Sequence, residues 1–394
     1  MAHRPHVVVI GAGTLGVCSA FYLVEQDARV TVLEAQSIAS GSSGRSVGVV
    51  GTQFTDEFNI LLRFHALRQL RSWEHLGLRF NHIGYLRLAR TNAQMELFER
   101  TAGMREQAGF RSRCCDAREL RSLVPHMSTE GLAGGLFGPD DGFLDPHEMC
   151  NFVADLARAK GAVIRQYTKL LGVRRVGGGY SLDTSKGEVV CDAVINAAGP
   201  WAAKVAGLFG QEVHIQPERH EAIAIHLDEP LPYTMPMVMD LVNGEGTGLN
   251  FRYERPNELI AEIHRAPAFS SEDPDNYNDQ CEDNSKASLA ELLMERLPDL
   301  PGARLGRGWA GLYPVTCDQR PLVGPADPSE PTLVTAAGAG GYGIQLSPVI
   351  GQVAADWVLH GRPVSAPGTE LLLPTRQRSV PVPAVSQALS SRGH

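Results

Sequence analysis

At 394 residues the chain is too long for one simple core, so two domains are expected. It is 43% hydrophobic and 20% charged, ordinary for a globular protein, and a net charge of -8 without long like-charge runs excludes an extended nucleic-acid surface. Seven scattered cysteines form no Cys-x-x-Cys pair, which suits reduced thiols in a cytoplasmic protein and argues against a disulfide framework, a zinc site or any other metal site.

Residues 7–35, VVVIGAGTLGVCSAFYLVEQDARVTVLEA, begin with a short, continuous, β-branched run, Val7–Ile10, the signature of a buried parallel strand. Gly11 makes the following turn. Gly13 lets backbone approach a pyrophosphate, and Gly16 lets a helix, about Leu15 to Gln26, pack closely on the strand. The turn Gly11, Ala12, Gly13, Thr14, Leu15, Gly16 then aims helix N–H groups at phosphate oxygens. Arg29–Leu33 reads as the second strand. Glu34 stands at its end, 23 residues after Gly11, where a carboxylate accepts ribose hydroxyls, with Ala35 and Gln36 beside it. The uncharged run 7–24 after His3, Arg4 and His6 imitates a signal peptide, but three glycines placed for a turn fit strand–turn–helix. No other segment is long and apolar enough to span a bilayer. This unit suits NAD and FAD equally.

The next stretch, SGSSGRSVGVVG at 40–51, is small and turn-forming, either a surface loop or a lining in which Ser42, Ser43, Arg45, Ser46 and Val47 meet a long cofactor. Asp145-Pro-His-Glu opens a helix from Met149 to Lys160. Ala162–Ile164, Lys169–Val173 and Val189–Asn196 read as strands. The last leads through Ala197, Ala198 and Gly199 into a helix opened by Pro200. Residues 213–265 read as short strands with turns between them, and 271–284 as an exposed acidic loop. GAGGYG at 338–343 repeats Gly-x-Gly-x-x-Gly between a strand, Thr332–Ala337, and a helix, about Ser347–Leu359. No second strand with an acid follows, so a second dinucleotide is not expected. A helix N-terminus there suits the partial negative charge of a reduced isoalloxazine, which favours flavin over nicotinamide.

Together these stretches, with DGFLDPHEM, WAGLYPVTCDQRPLVGP and GAGGYGIQLSPVIG, resemble the FAD-dependent amine and amino-acid oxidoreductases related to D-amino-acid oxidase, glycine oxidase and sarcosine oxidase. The resemblance implies an α/β fold: a Rossmann-like FAD-binding domain with a parallel sheet, from 1–80, 141–212 and 303–362. It also implies a substrate domain with a mainly antiparallel sheet, from 81–140 and 213–302. Residues 363–394 are expected to be a poorly ordered tail. By the same resemblance cofactor contacts extend to Leu170, Ala198, Gly199, Trp201, Gly311, Gly341, Tyr342, Gly343, Ile344 and Gln345.

The chemistry the resemblance implies is hydride transfer from the carbon beside a substrate nitrogen to flavin N5, giving an imine that hydrolyses, with no obligatory side-chain base. Oxygen would be the acceptor, yielding hydrogen peroxide. The alternative is a dehydrogenase subunit of a larger complex, like sarcosine oxidase β subunits or proline and opine dehydrogenases, serving a partner or quinone. Partner subunits and homo-oligomers are both open. Relatives hold a substrate carboxylate with Arg or Lys where this chain has Tyr313, Gln345 and Gly51, so the clamp is missing from its usual positions. Arg252 is the expected replacement, sharing a strand face with Asn250; His264 and His220 are candidate polar contacts. The attaching cysteine of some relatives falls at Gly311, so noncovalent FAD is expected.

Overall fold

The computed structural model describes residues 4–241, 248–265, 271–366 and 368–379. Its first layer is a six-stranded sheet in the order Leu322–Pro325, Leu333–Ala337, Ala193–Asn196, His6–Ile10, Arg29–Leu33, Val163–Arg165. Five strands run parallel and the edge strand Leu322–Pro325 is antiparallel. Because successive side chains alternate, Val7 and Val9 face one core, beneath helices Thr14–Glu25, Glu57–His75, Pro146–Ala159 and Gly343–His360. Val8 and Ile10 face the other, beneath the meander Leu170–Val176, Gly179–Thr184 and Gly187–Cys191.

Close backbone approach explains the first glycines. Gly11 has φ +102°, and a Cβ on it would lie 2.6 Å from the Ala197 carbonyl oxygen. A Cβ on Gly16 would collide with the Gly11 carbonyl oxygen, so any side chain there pushes the helix off the strand. Helix Pro146–Ala159 is capped by Asp145, whose Oδ1 accepts the Glu148 N–H at 2.7 Å. Helix Gly343–His360 contains Pro348, which cannot donate to the Ile344 carbonyl; the Ser347 hydroxyl does so instead, at 2.9 Å.

The second layer is an eight-stranded sheet ordered Arg304–Val315, Gln216–His226, Glu258–His264, Gly248–Arg255, Met237–Leu241, Tyr85–Ala89, Gly134–Gly138, Arg113–Cys115. All pairings are antiparallel except that of Met237–Leu241 with Tyr85–Ala89. Helix Asp283–Arg296 covers the back, where Phe251, Leu259, Ala261, Leu289 and Leu293 share a core. Behind this sheet Asp240 is held by Arg296 at 2.7 Å and by both forks of Arg90 at 2.9 and 3.0 Å.

Four expectations change. Arg304–Val315, assigned from sequence to the cofactor part, instead pairs along its length with Gln216–His226 in the second sheet. The strand read as Val189–Asn196 is two strands broken at Asp192, whose carboxylate accepts the His6 N–H at 2.7 Å. The first part of the expected tail is packed: Ala366 and Leu372 are buried, and Arg376 bonds Asp318 at 2.6 and 3.0 Å. Residues beyond 379 lie outside the described set. Finally, 40–51 is not all loop, since Ser42–Arg45 forms one helical turn.

Candidate active site

The C-terminal ends of the parallel strands converge on one rim. Glu34 accepts the Ala12 N–H on Oε2 and the Gln36 N–H on Oε1, both at 2.8 Å, which fixes the carboxylate beside the glycine turn. Ser43 Oγ accepts the Thr14 N–H at 3.1 Å, tying the Ser42–Arg45 turn to the first helix. Ser42 donates to the Leu312 carbonyl at 2.5 Å, and Arg45 bonds the Ser40 and Gly41 carbonyls. Ser46 accepts the Gly48 N–H at 3.1 Å. Ala198 receives support from Asn196 at 3.3 Å. Cβ atoms added at Gly199 or Gly340 would meet nothing within 4 Å, so both turns face open space.

Other predicted residues are engaged differently. Ala35 and Gln36 are exposed, while Leu170 and Ile344 are buried in the two cores, leaving only backbone to offer a ligand. Trp201 lies beside Gly41 and donates to Asp275 at 2.8 Å, tying it to the acidic 271–284 loop. Gly311 packs against the Arg45 side chain. Gly341 lies against the Tyr313 ring, and Gly343 begins the long helix that Tyr342 precedes.

Opposite this rim, the front of the eight-stranded sheet presents Tyr85, Arg87, Met239, Asn250, Arg252, Glu262, His264, His220 and Tyr313, by strand alternation and register. A cleft open to solvent separates it from Ser42, Arg45, Ser46 and Val47, with His220, Glu262, Trp309, Gly311 and Tyr313 in its wall. The face is polar and poorly solvated. Burial raises the Glu262 carboxyl, partly offset by the Asn250 amide that donates to Oε1 at 3.0 Å. Burial also raises the Tyr313 hydroxyl, keeping it a neutral donor, and its ring stacks on His220 at 3.9 Å. His264 is pushed down to about 4 by burial, then by His220 and Arg87, so it is neutral at neutral pH. Asn250 Oδ1 and Gln53 Oε1 are buried without a hydrogen-bond partner.

The alternation reading of LNFRYE holds, with Asn250 and Arg252 on the front and Phe251 in the back core. The expected clamp already has protein partners on two of its nitrogens. Arg252 gives Nε to the Val47 carbonyl at 3.0 Å and Nη1 to Tyr253 and Glu254, over the Phe143 ring at 3.8 Å, so it braces the loop. Gln345 is likewise engaged, its Oε1 accepting the Gly51 N–H at 3.0 Å.

Comparison with known proteins places the chain in a family. The DAO family model, described as FAD dependent oxidoreductase, aligns with residues 6–357. The chain belongs to that family. It is an FAD-dependent oxidoreductase. Glycine oxidase of Geobacillus kaustophilus is 25% identical over 370 residues, covering 91% of this chain and 94% of the relative. Human mitochondrial sarcosine dehydrogenase is 26% identical over 375 residues, but this chain spans only 40% of its length. Among solved structures, L-proline dehydrogenase from P. horikoshii aligns with TM-score 0.85 at 24% identity, over 96% of this chain and 99% of that one; this likeness shows the fold. The glycine oxidase of G. kaustophilus aligns with TM-score 0.80 at 25% identity, over 95% and 99%.

The residues present fit FAD. A glycine turn at a helix N-terminus, an acid at the second strand's end and open turns at Gly199 and Gly340 supply a dinucleotide's donors, acceptor and room. No helix among the described residues is long and apolar enough to cross a membrane, and no group of three or more metal-binding side chains occurs among them.

Sequence reasoning passed over Glu262, Tyr85 and Arg63. For Glu262 the usable signal was alternation in ELIAEIH, which pairs it with His264 on one face. For Arg63 it was a charge set inside an apolar helical stripe, Ile60, Leu67 and Leu70.

Proposed function

We propose that this chain oxidises the C–N bond of a small amine or amino acid of the glycine, sarcosine, proline or D-amino-acid type to an imine. The observation that carries the reading is the carboxylate of Glu262, which lines the cleft and is held by the Asn250 amide at 3.0 Å. FAD, when bound, supplies the two-electron acceptor for the hydride leaving the carbon beside nitrogen. Glu262 and the unpartnered Asn250 Oδ1 accept hydrogen bonds from the substrate nitrogen. Burial disfavours both an ammonium and a carboxylate, so Glu262 takes the proton that the amine sheds before its C–H bond breaks. Glu221, the other acid beside the cleft, is engaged by Arg219 and the Glu282 N–H, each at 2.8 Å. Tyr313 and His220 form a stacked wall that fixes the substrate carbon and limits water. The imine leaves and hydrolyses to a carbonyl.

We read the site residues accordingly: Gly11–Gly16, Glu34 and the 42–47 segment hold the cofactor, with Ala198–Gly199 and Gly340–Gly343. FAD is held noncovalently, since Gly311 offers no nucleophile; yellow colour remaining with denatured, filtered protein would reverse this. Oxygen accepts the electrons. The second reading, a dehydrogenase subunit serving a partner, is supported by relatives named sarcosine and dimethylglycine dehydrogenase, of which this chain matches 40–43%.

The test is Glu262→Gln with a substrate found by screening. Loss of the proton acceptor should raise KM about tenfold or more and remove the acid limb of the kcat/KM profile. An unchanged profile removes Glu262 from the role. Peroxide formed in air separates the oxidase from the dehydrogenase.

A further inference from the structure

Helix Glu57–His75 sets one face into the core through Ile60, Leu67 and Leu70. The three- and four-residue spacing places Arg63 on that same face, with only 1% of its surface exposed. A guanidinium removed from water needs partners for all its N–H groups. Arg63 has them on one side only. Its Nη1 donates to Asn59 Oδ1 at 2.7 Å and to the Asn59 carbonyl at 3.2 Å. Asn59 is itself oriented by Asp56, which accepts its Nδ2 at 2.9 and 3.1 Å and so turns Oδ1 toward Arg63.

Nε and Nη2 have no partner, and no carboxylate lies within ion-pair distance of Arg63 among the described residues. These two nitrogens form one edge of the guanidinium, with parallel N–H bonds spaced to meet both oxygens of a carboxylate. The group is also held flat, over the Phe54 ring at 3.3 Å and 5.1 Å from the Tyr342 ring, which itself meets Phe54 edge-on at 5.6 Å. Tyr342 retains 36% exposure and belongs to the turn preceding the long helix at the cofactor rim. Tyr85, packed on Gly51, lies within electrostatic reach of both Arg63 and Glu262.

We propose that Arg63 is the anchor for a substrate carboxylate, its Nε–H and Nη2–H each donating to one oxygen. On the amine-oxidation reading, the substrate is then an amino acid lying between Arg63 and the Glu262–Asn250 pair, and plain amines are poor ligands. Burial pushes the guanidinium down to about 9, and a bound carboxylate supplies the missing counter-charge.

The experiment uses FAD-loaded protein and needs no turnover. Propionate and propionamide are titrated while the visible flavin spectrum and Tm are read. Propionate should bind saturably and propionamide weakly. Arg63→Met should weaken propionate about thirtyfold or more, and Arg63→Lys, which keeps the charge and loses the fork, should fall between. Equal propionate binding by Arg63→Met and the parent overturns the anchor, as does equal binding of acid and amide by the parent. Should Arg63→Met not fold, Arg63→Lys and Arg63→Gln decide by the same comparison. Propionate binding lost with Arg63, in a protein reduced by no amine or amino acid, would keep the anchor and remove amine oxidation. Reduction by simple amines, unaffected in Arg63→Met, would do the reverse.

Discussion

The two faces of the cleft treat their polar groups in opposite ways. On the parallel-sheet side, Glu34 and Ser43 are met by backbone N–H groups of Ala12, Gln36 and Thr14, and glycines let strands and helix meet at backbone distance. On the eight-stranded side, Asn250 Oδ1 lacks a partner and Glu262 and His264 are displaced from their ordinary titration ranges; Gln53, whose carbonyl accepts from Arg87 on that face, carries an unpartnered atom as well. The first face is a finished cradle. The second is completed by a ligand, which is where strain and perturbed titration are expected in an enzyme. Tolerance should differ accordingly: the cradle should be intolerant of volume, the other face of changes in charge.

The largest effect should come from the cradle. Gly16→Ala places a methyl against the Gly11 carbonyl oxygen and should abolish folded, yellow protein, as read by flavin absorbance after gel filtration. Wild-type flavin content in that variant would break the comparison. Next, on the second sheet's back, Asp240→Ala leaves buried Arg296 without its carboxylate and should cost about 3–5 kcal/mol in denaturant unfolding. A loss below about 1 kcal/mol would mean the arginines find solvent instead.

His264→Gln gives the smallest change and the most specific one. The folded protein holds His264 neutral until about pH 4, whereas an unfolded histidine protonates near 6.5. Its penalty is therefore absent above pH 6.5 and grows as pH falls through that window, reaching about 3 kcal/mol near pH 4. The variant should lose stability less steeply between pH 6.5 and 4 than the parent. Parallel curves would show that His264 is solvated.

The cradle was legible because its information is local: turn, helix start, second strand and acid all fall within residues 7–35, and each residue type has one backbone reason to be there. The strand around Arg252 was half legible. Alternation separated Asn250 and Arg252 from Phe251, but not which partners the guanidinium would find, because Val47 is 205 residues away. Arg304–Val315 was misplaced for a related reason, since a strand's sheet is chosen by its neighbours rather than by its own pattern. Arg63 and Glu262 come from a helix and a strand far apart in the chain, and only packing sets them around Tyr85.

The central claim is that electrons leave a C–H bond beside a substrate nitrogen held at the second face. Anaerobic mixing of the yellow protein with a panel of amines and amino acids tests it directly. Loss of the flavin's visible absorbance with at least one member, at a rate that depends on its concentration, is the predicted result. A flavin that stays oxidised with the whole panel yet is reduced by a nicotinamide dinucleotide would contradict it.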